Sequence, residues 1–212
     1  MKKAVIFDCD GVLVDSEILY LNSLLKYLKT LGIETTIDEV KFVVGMKAYE
    51  IAEALQRKFE LNQVSIEELI QKQDEYQERE MAAVELQPMS GLIDFLDSLK
   101  NQGYKLAIAS SSLKNYVENV CRRIGILEYF DLLVTGEQVS NSKPDPEIFN
   151  KTVELLGIPK EETLIVEDSV NGIKAAKSSG VFVVGYKGSV IEQDTTNADA
   201  ELKTFVEIQK YL

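Results

Sequence analysis

Two hydrophobic periodicities divide the chain. Residues 3–7 form a short run ending AVIF, without the polar alternation of a half-exposed strand, and read as a buried strand. From Glu17 to Leu31 the spacing changes to helical: Ile18, Leu21, Leu25 and Leu28 share a face, and Gly32 supplies a stop. Two further helical patterns follow. One carries Ile51, Leu55 and Phe59; the other carries Ile66, Leu69, Ile70 and Gln73 and runs into the polar stretch Lys72–Glu80. No strand pattern interrupts residues 16–84, so this stretch reads as a small helical bundle.

The pattern changes at Pro88, after which helices and strands alternate. Leu92, Phe95, Leu96 and Leu99 mark a helix closing near Gly103, and Tyr104–Ala109 is a strand running into Ser110, Ser111 and Ser112. A helix over Leu113–Ile124 and a short strand over Asp131–Val134 come next. Asp145 as N-cap with Pro146 in the first turn starts a helix to about Leu156. Thr163–Val166 is a strand ending in Glu167 and Asp168, Ser169 caps a helix to about Ser179, and Val181–Gly185 is the last clear strand. Such alternation implies a parallel sheet with right-handed crossovers. One strand precedes the helical stretch and the others follow it. The expected architecture is therefore an α/β core, residues 1–15 and 86–212, carrying an α-helical insert, residues 16–85.

Composition narrows the function. The 212 residues, 45% hydrophobic and 27% charged, suffice for one domain with a smaller insert. No apolar stretch is long enough to span a membrane, and the run after Lys2 and Lys3 stops at Asp8, too soon for a secretory leader. A formal charge of −12 without a basic stripe speaks against nucleic acid and anionic membrane surfaces as partners. An anionic small molecule would need a local positive centre, a metal or a lysine. Cys9 and Cys121 form no C-x-x-C pair and neither opens a Cys-x5-Arg frame, so two reduced thiols in a cytoplasmic protein are expected. The chain has no histidine, which removes Ser-His-Asp and Cys-His catalysis and His-ligated zinc. Acid–base chemistry near neutral pH falls to carboxylates, Lys or Tyr.

Polar groups then stand out at the strand ends. The first strand ends in Asp8 and Asp10, the second in Ser110 and the fourth in Glu167 and Asp168, while the loop after the third carries Lys143. In a parallel sheet these converge at one edge, where open α/β sheets bind ligands. Clustered carboxylates call for a counterion, and hard oxygen donors suit Mg²⁺, which keeps waters and takes phosphate oxygens. Singly, Ser110 reads as a strand-end turn residue, Lys143 as a solvated lysine, and Glu167 and Asp168 as helix-start acids favoured by the helix dipole. Asp15 reads as ordering the turn into the insert. The joint pattern carries the functional reading.

Taken together, FDCDGVLVDSE, AIASSS, NSKPDPEIF and LIVEDSVNGIKAAKSSG resemble, in order and in strand context, the four signatures of the haloacid dehalogenase superfamily. The resemblance covers nearly the whole chain and implies a Rossmann-like parallel core with an inserted helical cap. It also implies roles. Asp8 is the nucleophile that forms an aspartyl phosphate; Asp10 is the general acid for the leaving alkoxide and later the base for water. Ser110 and the following amide at Ser111 hold phosphoryl oxygens, and Lys143 neutralises charge. Mg²⁺ is held by Asp8, the main-chain carbonyl of Asp10 and Asp168, with Glu167 direct or through water.

The insert resembles the caps of the β-phosphoglucomutase-like and phosphoglycolate-phosphatase-like branches, which select the substrate. The mutase pattern has a cap-hinge His and a phosphate-gripping cap Arg. Here Tyr20 stands at the first place, and Gly45–Glu50 offers Lys47 and Tyr49 but no Arg. Lys114 and Asn115 follow the serines one residue later than in the mutase. Lys47, Lys114, Asn115 and Ser111 are the substrate-contact candidates; Lys47 and Tyr49 read equally as ordinary helix-start residues.

The leading expectation is a monomeric Mg²⁺-dependent phosphatase for a small phosphorylated metabolite, a sugar phosphate above all. A β-phosphoglucomutase is the second reading. A non-enzymatic receiver-like phospho-acceptor is the third, disfavoured by Asp10 and the insert. Dehalogenation does not call for an acid like Asp10.

Overall fold

The computed structural model describes residues 1–44, 46 and 48–212. The chain forms two compact units, Met1–Asp15 with Leu86–Leu212, and Ser16–Glu85.

The first unit is built on a parallel sheet of six strands: β1 (Ala4–Phe7), β2 (Lys105–Ser110), β3 (Leu132–Thr135), β4 (Thr163–Glu167), β5 (Phe182–Tyr186) and β6 (Ala200–Leu202). Their order is β3-β2-β1-β4-β5-β6, the doubly wound arrangement in which the chain works outward from β1 on one side and then from β4 on the other. β1 is buried along its whole length, as its unalternating sequence requires of a central strand covered on both faces.

Between the strands run α5 (Leu92–Asn101), α6 (Lys114–Arg123), α7 (Glu147–Leu156) and α8 (Val170–Ser179). On one face, Ile6, Ala107, Val134 and Ile165 of the sheet pack with Ile148 and Phe149 of α7 and Ile173 and Ala176 of α8. Aromatic contacts tie the strands to helices elsewhere. Phe7 meets Phe95 of α5 edge-on at 6.2 Å, and Phe95 stacks on Phe205 at 5.6 Å, which stacks on Tyr186 at 4.6 Å.

The second unit contains α1 (Glu17–Thr30), α2 (Ile37–Val40), α3 (Ala48–Lys58) and α4 (Ile66–Ala83), with α4 packed against α1 and α3. In α1 the buried positions are Leu21, Leu24 and Leu28 with Ser23 and Tyr27, so the inward face is turned slightly from the expected one and Leu25 is only half-buried. Gln73 of α4 reaches across to donate to Ser23 Oγ at 2.8 Å. Among the described residues no helix is long and apolar enough to cross a membrane.

The structure adds elements that the periodicity does not predict: α2, β6 and α9 (Phe205–Ile208). It also moves a boundary. α7 begins at Glu147, one residue beyond the expected start, so Pro146 precedes it; Asp145 still caps the turn by accepting from the Glu147 amide at 2.9 Å. Asp15 is fixed by contacts far along the chain. Its carboxylate accepts from Ser189 Oγ at 2.9 Å and the Val190 amide at 2.8 Å, pinning the first loop to the loop after β5. Cys9 and Cys121 are buried free thiols. A hydrogen bond to Cys121 pushes the Cys9 thiol well above its ordinary pKa, and burial adds to it.

Candidate active site

The strand order reverses between β1 and β4, and in doubly wound sheets the crevice beyond the carboxyl ends at that point receives the ligand. Phe7 is in register with Val166 on one side and Ile108 on the other. The residues just beyond them, Asp8 and Glu167, are therefore brought together by the ladder, and the Asp8 amide extends it by donating to the Val166 carbonyl at 3.0 Å.

Lys143 enters from the loop between β3 and α7 and joins three strands. Its Nζ donates to Asp8 Oδ1 at 2.6 Å, Glu167 Oε1 at 2.8 Å and the Ala109 carbonyl at 3.1 Å, which engages all three ammonium protons. The Phe149 ring lies 4.9 Å from the ammonium. Lys143, Asp8 and Glu167 are all buried, so each charge depends on its partners for what water would supply. Burial pushes the Asp8 carboxyl up to about 7, against the pull of Lys143, with Glu167 and Asp10 adding repulsion. Burial alone would lower the Lys143 ammonium, but Asp8 and Glu167 hold it above its ordinary value.

Glu167 is held on both sides. Oε1 takes Lys143, and Oε2 accepts from the Ser169 amide at 2.7 Å and Ser169 Oγ at 3.0 Å. Ser169 Oγ in turn accepts from the Gly172 amide at 3.0 Å, the N-cap of α8 expected from the sequence. A Cβ on Gly172 would overlap the Glu167 carboxylate, so the glycine is what lets α8 start this close to β4. Both carboxylate oxygens of Glu167 thus have partners within the protein.

Asp168 lies against Gly11. A Cβ there would overlap the Asp168 carboxylate, and the Gly11 backbone has φ +79°, which L side chains rarely adopt. The end of β4 is thus seated on the loop that carries Asp8 and Asp10. Four carboxylates, Asp8, Asp10, Glu167 and Asp168, share this edge with one buried lysine, an excess of negative charge that suits a divalent cation. Among the described residues no group of three or more His, Cys, Asp or Glu side chains is arranged to hold a metal ion. Asp8, Asp168 and the Asp10 carbonyl offer oxygen donors, the kind Mg²⁺ prefers.

The remaining candidates are placed as follows. Ser110 is buried, and its Oγ accepts from the Ser112 amide at 3.1 Å. Ser111 is exposed next to it, with Gly136 packed on its carbonyl. Lys114 and Asn115 lie exposed in the first turn of α6; Lys114 donates through its amide to Glu137 at 2.8 Å, and neither is bonded to the acid cluster. Lys47 and Gly45 fall outside the described residues. Tyr20 helps line a cavity of about 170 Å³ within the helical unit, together with Tyr27, Ile51, Leu55 and Gln73. Burial raises the pKa of its phenol, and Asp74 and Glu17 add to the shift.

Two residues absent from the predicted site touch Asp10. Ser112 Oγ donates to Asp10 Oδ2 at 3.0 Å, and Tyr116 OH donates to Asp10 Oδ1 at 2.8 Å. Ser112 belongs to the serine run already noted at the end of β2. Nothing local marks Tyr116, which meets a residue 106 positions away.

A family model described as haloacid dehalogenase-like hydrolase matches residues 5–186, from β1 to the end of β5. The chain belongs to the haloacid dehalogenase-like hydrolases. This hydrolase is 34% identical over 179 residues to the phosphorylated carbohydrates phosphatase of Thermotoga maritima, covering 84% of this chain and 82% of the relative. It is 32% identical over 180 residues to the phosphoglycolate phosphatase of Aquifex aeolicus, covering 84% of this chain and 81% of the relative. Among solved structures, the β-phosphoglucomutase of Clostridium difficile superposes with a TM-score of 0.74 at 25% identity, covering 99% of this hydrolase and 96% of the other chain.

Proposed function

We propose that this hydrolase is a Mg²⁺-dependent phosphatase of small phosphate monoesters, sugar phosphates foremost, working through a phosphorylated Asp8. One observation carries the reading: Lys143 bridges Asp8 and Glu167 at the point where the strand order reverses, with Asp10 held two residues further along. The kinship with a phosphatase of phosphorylated carbohydrates supports the substrate class.

In the first step an oxygen of Asp8 attacks phosphorus while the bond to the alcohol breaks, and Asp10 gives its proton to the departing oxygen. In the second, water attacks the acyl phosphate, Asp10 takes its proton, and phosphate leaves Asp8 free. Lys143 offsets negative charge on Asp8 and the phosphoryl group through both steps, from a position already fixed before substrate arrives. Ser110 and the amide beyond it offer donors to the phosphoryl oxygens. Mg²⁺, held by Asp8, Asp168 and the Asp10 carbonyl, would supply further positive charge at the phosphoryl oxygens.

Tyr20 and the lack of Arg in Gly45–Glu50 favour water over a sugar as acceptor, since Lys at the grip position gives a point charge where Arg gives a planar fork. The test is a free-phosphate assay over a panel of sugar phosphates and phosphoglycolate, run beside a coupled glucose 6-phosphate assay with β-glucose 1-phosphate and its 1,6-bisphosphate. Phosphate release is expected to dominate. Glucose 6-phosphate forming about ten times faster than phosphate would make the enzyme a mutase.

The elevated pKa of Asp8 gives the metal a pH signature. Between the ordinary carboxylate range and about 7, folded Asp8 holds a proton that the unfolded chain has released. The metal-free protein therefore loses stability as pH rises through that window. A cation that binds ionised Asp8 must displace this proton at the lower end and meets none at the upper end. Saturation at ~100 times Kd is worth about 2.7 kcal/mol, several degrees in Tm for a chain of this size. Thermal melts with and without Mg²⁺ are expected to show a larger stabilisation at about pH 7.5 than at about pH 5.5. Equal shifts at both would remove Asp8 from the ligand set.

A further inference from the structure

We propose that Tyr116 and Ser112 are the positioning residues of Asp10, and that they set how well the enzyme expels alcohols that leave poorly. The inference rests on Asp10 being the general acid of the reading above.

The geometry is specific. Asp10 lies beyond the end of β1 on a loop, half-buried, where a carboxylate is free to turn about two side-chain bonds. Each of its oxygens receives one hydroxyl: Oδ1 from Tyr116 at 2.8 Å and Oδ2 from Ser112 at 3.0 Å. One bond would leave the group free to pivot; two bonds on different oxygens fix the plane of the carboxylate.

Both donors are themselves anchored in the connection from β2 to α6. The Ser112 amide is bonded to Ser110 Oγ at 3.1 Å, and its carbonyl accepts from the Gly136 amide at 3.3 Å. Tyr116 sits in the first turn of α6, next to Val117, which is fully buried and bonded through its amide to the Leu113 carbonyl at 3.1 Å. The carboxylate is thereby tied to the connection between β2 and α6 as well as to its own loop. Preorganised orientation of this kind is what a proton transfer needs.

The arrangement also acts on the step itself. As the P–O bond breaks, its electron pair goes to the alcohol oxygen, the Asp10 proton moves to that oxygen, and Asp10 becomes an anion. Two hydroxyls aimed at its oxygens stabilise the charge as it forms, so they count most in the transition state. An activated aryl phosphate needs no such proton and is indifferent to them.

The experiment compares kcat/KM for p-nitrophenyl phosphate with that for the best sugar phosphate of the panel, in wild type, Tyr116→Phe, Ser112→Ala, Asp10→Asn and Tyr116→Phe/Asp10→Asn. This parameter covers only steps up to release of the alcohol, so hydrolysis of the phosphorylated enzyme does not blur it. Asp10→Asn is expected to lose ~10²–10⁴ more on the sugar phosphate than on the aryl phosphate. Tyr116→Phe and Ser112→Ala are each expected to show the same selective loss at about a tenfold level or more, and Tyr116→Phe to cost nothing further in the Asp10→Asn background.

Equal losses on both substrates in both single variants, or additive losses in the double variant, would overturn the inference and leave Asp10 as the acid. No leaving-group dependence in Asp10→Asn would instead overturn the underlying reading. Ser112→Ala removes one oxygen atom and keeps the test decisive should Tyr116→Phe fold poorly.

Discussion

Asp8→Asn is expected to reduce turnover by at least about 10⁴-fold, the scale seen when an enzyme loses its nucleophile, while leaving the protein folded. The strand ladder that places the residue is made by the backbone: the Asp8 amide donates to Val166 whatever the side chain. An asparagine oxygen can still accept from Lys143, which reaches Asp8 Oδ1 at 2.6 Å. What disappears is a charge that the site tolerates poorly, because burial already pushes the Asp8 carboxyl up to about 7. Melting in EDTA is therefore expected at or above the wild-type temperature. The chemical check is an acid quench with ³²P-labelled substrate. Wild type should carry acid-stable label on the chain and Asp8→Asn none. Label on the variant, or more than about a hundredth of wild-type activity, would move the nucleophile elsewhere; losses on that scale already accompany removal of a single oxyanion donor.

Lys143→Met is expected to damage stability and activity together. The methionine replaces much of the buried stem but none of the three hydrogen bonds, so Asp8, Glu167 and the Ala109 carbonyl lose a common donor. Two carboxylates that the lysine held together then face one another in a buried place. Breaking a buried pair from one side costs about 3–5 kcal/mol, and the Asp8 pKa should rise further once the opposing pull of Lys143 is gone. Activity should fall by at least ~10²–10³, the range for losing one preorganised electrostatic group. A companion variant separates the two effects. Lys143→Met/Glu167→Gln removes the repelling charge and is expected to recover a large part of the urea midpoint without recovering turnover. A single variant as stable as wild type would mean that the bridge contributes nothing to the fold. Recovery of activity along with stability would mean that Lys143 only holds the site together.

The Glu167 result illustrates how the sequence and the fold divide the information. Paired acids after an apolar run are plain in TLIVEDS, and so is the serine that starts the next helix. Which partners each of the two buried acids takes is not. The ladder puts Glu167 in register with Gly185 inside the sheet, where Lys143 and Ser169 take its oxygens, and leaves Asp168 beyond the strand end against Gly11. A strand alternates its faces, but where it ends depends on its neighbours.

The missed elements have a similar cause. β6 is three residues, Ala200–Leu202, in a polar stretch without an apolar run. It exists because β5 offers an open edge, with the Asp199 carboxylate accepting from the Val183 amide at 2.9 Å and the Lys187 amide donating to the Leu202 carbonyl at 2.8 Å. α2 and α9 are too short for a periodicity to register. Each nevertheless begins with a capping box, Thr36 with Glu39 and Thr204 with Glu207, which is a local signal that can be read without the fold. α9 then holds its place through Phe205, stacked between Phe95 and Tyr186.

By itself the sequence determined what periodicity and residue chemistry encode locally: a buried first strand, a long helical stretch, an alternation that must form a parallel sheet, and acids, a serine and a lysine at the ends that such a sheet gathers. The tertiary structure alone decided which oxygen meets which donor. Tyr116 finds Asp10, Asp15 finds Ser189, and Lys143 spans β1, β2 and β4 because strand register and helix seating set distances between residues far apart in the chain. Hydrogen bonds depend on fractions of an ångström, and that precision comes from the packed core rather than from any pattern along the chain.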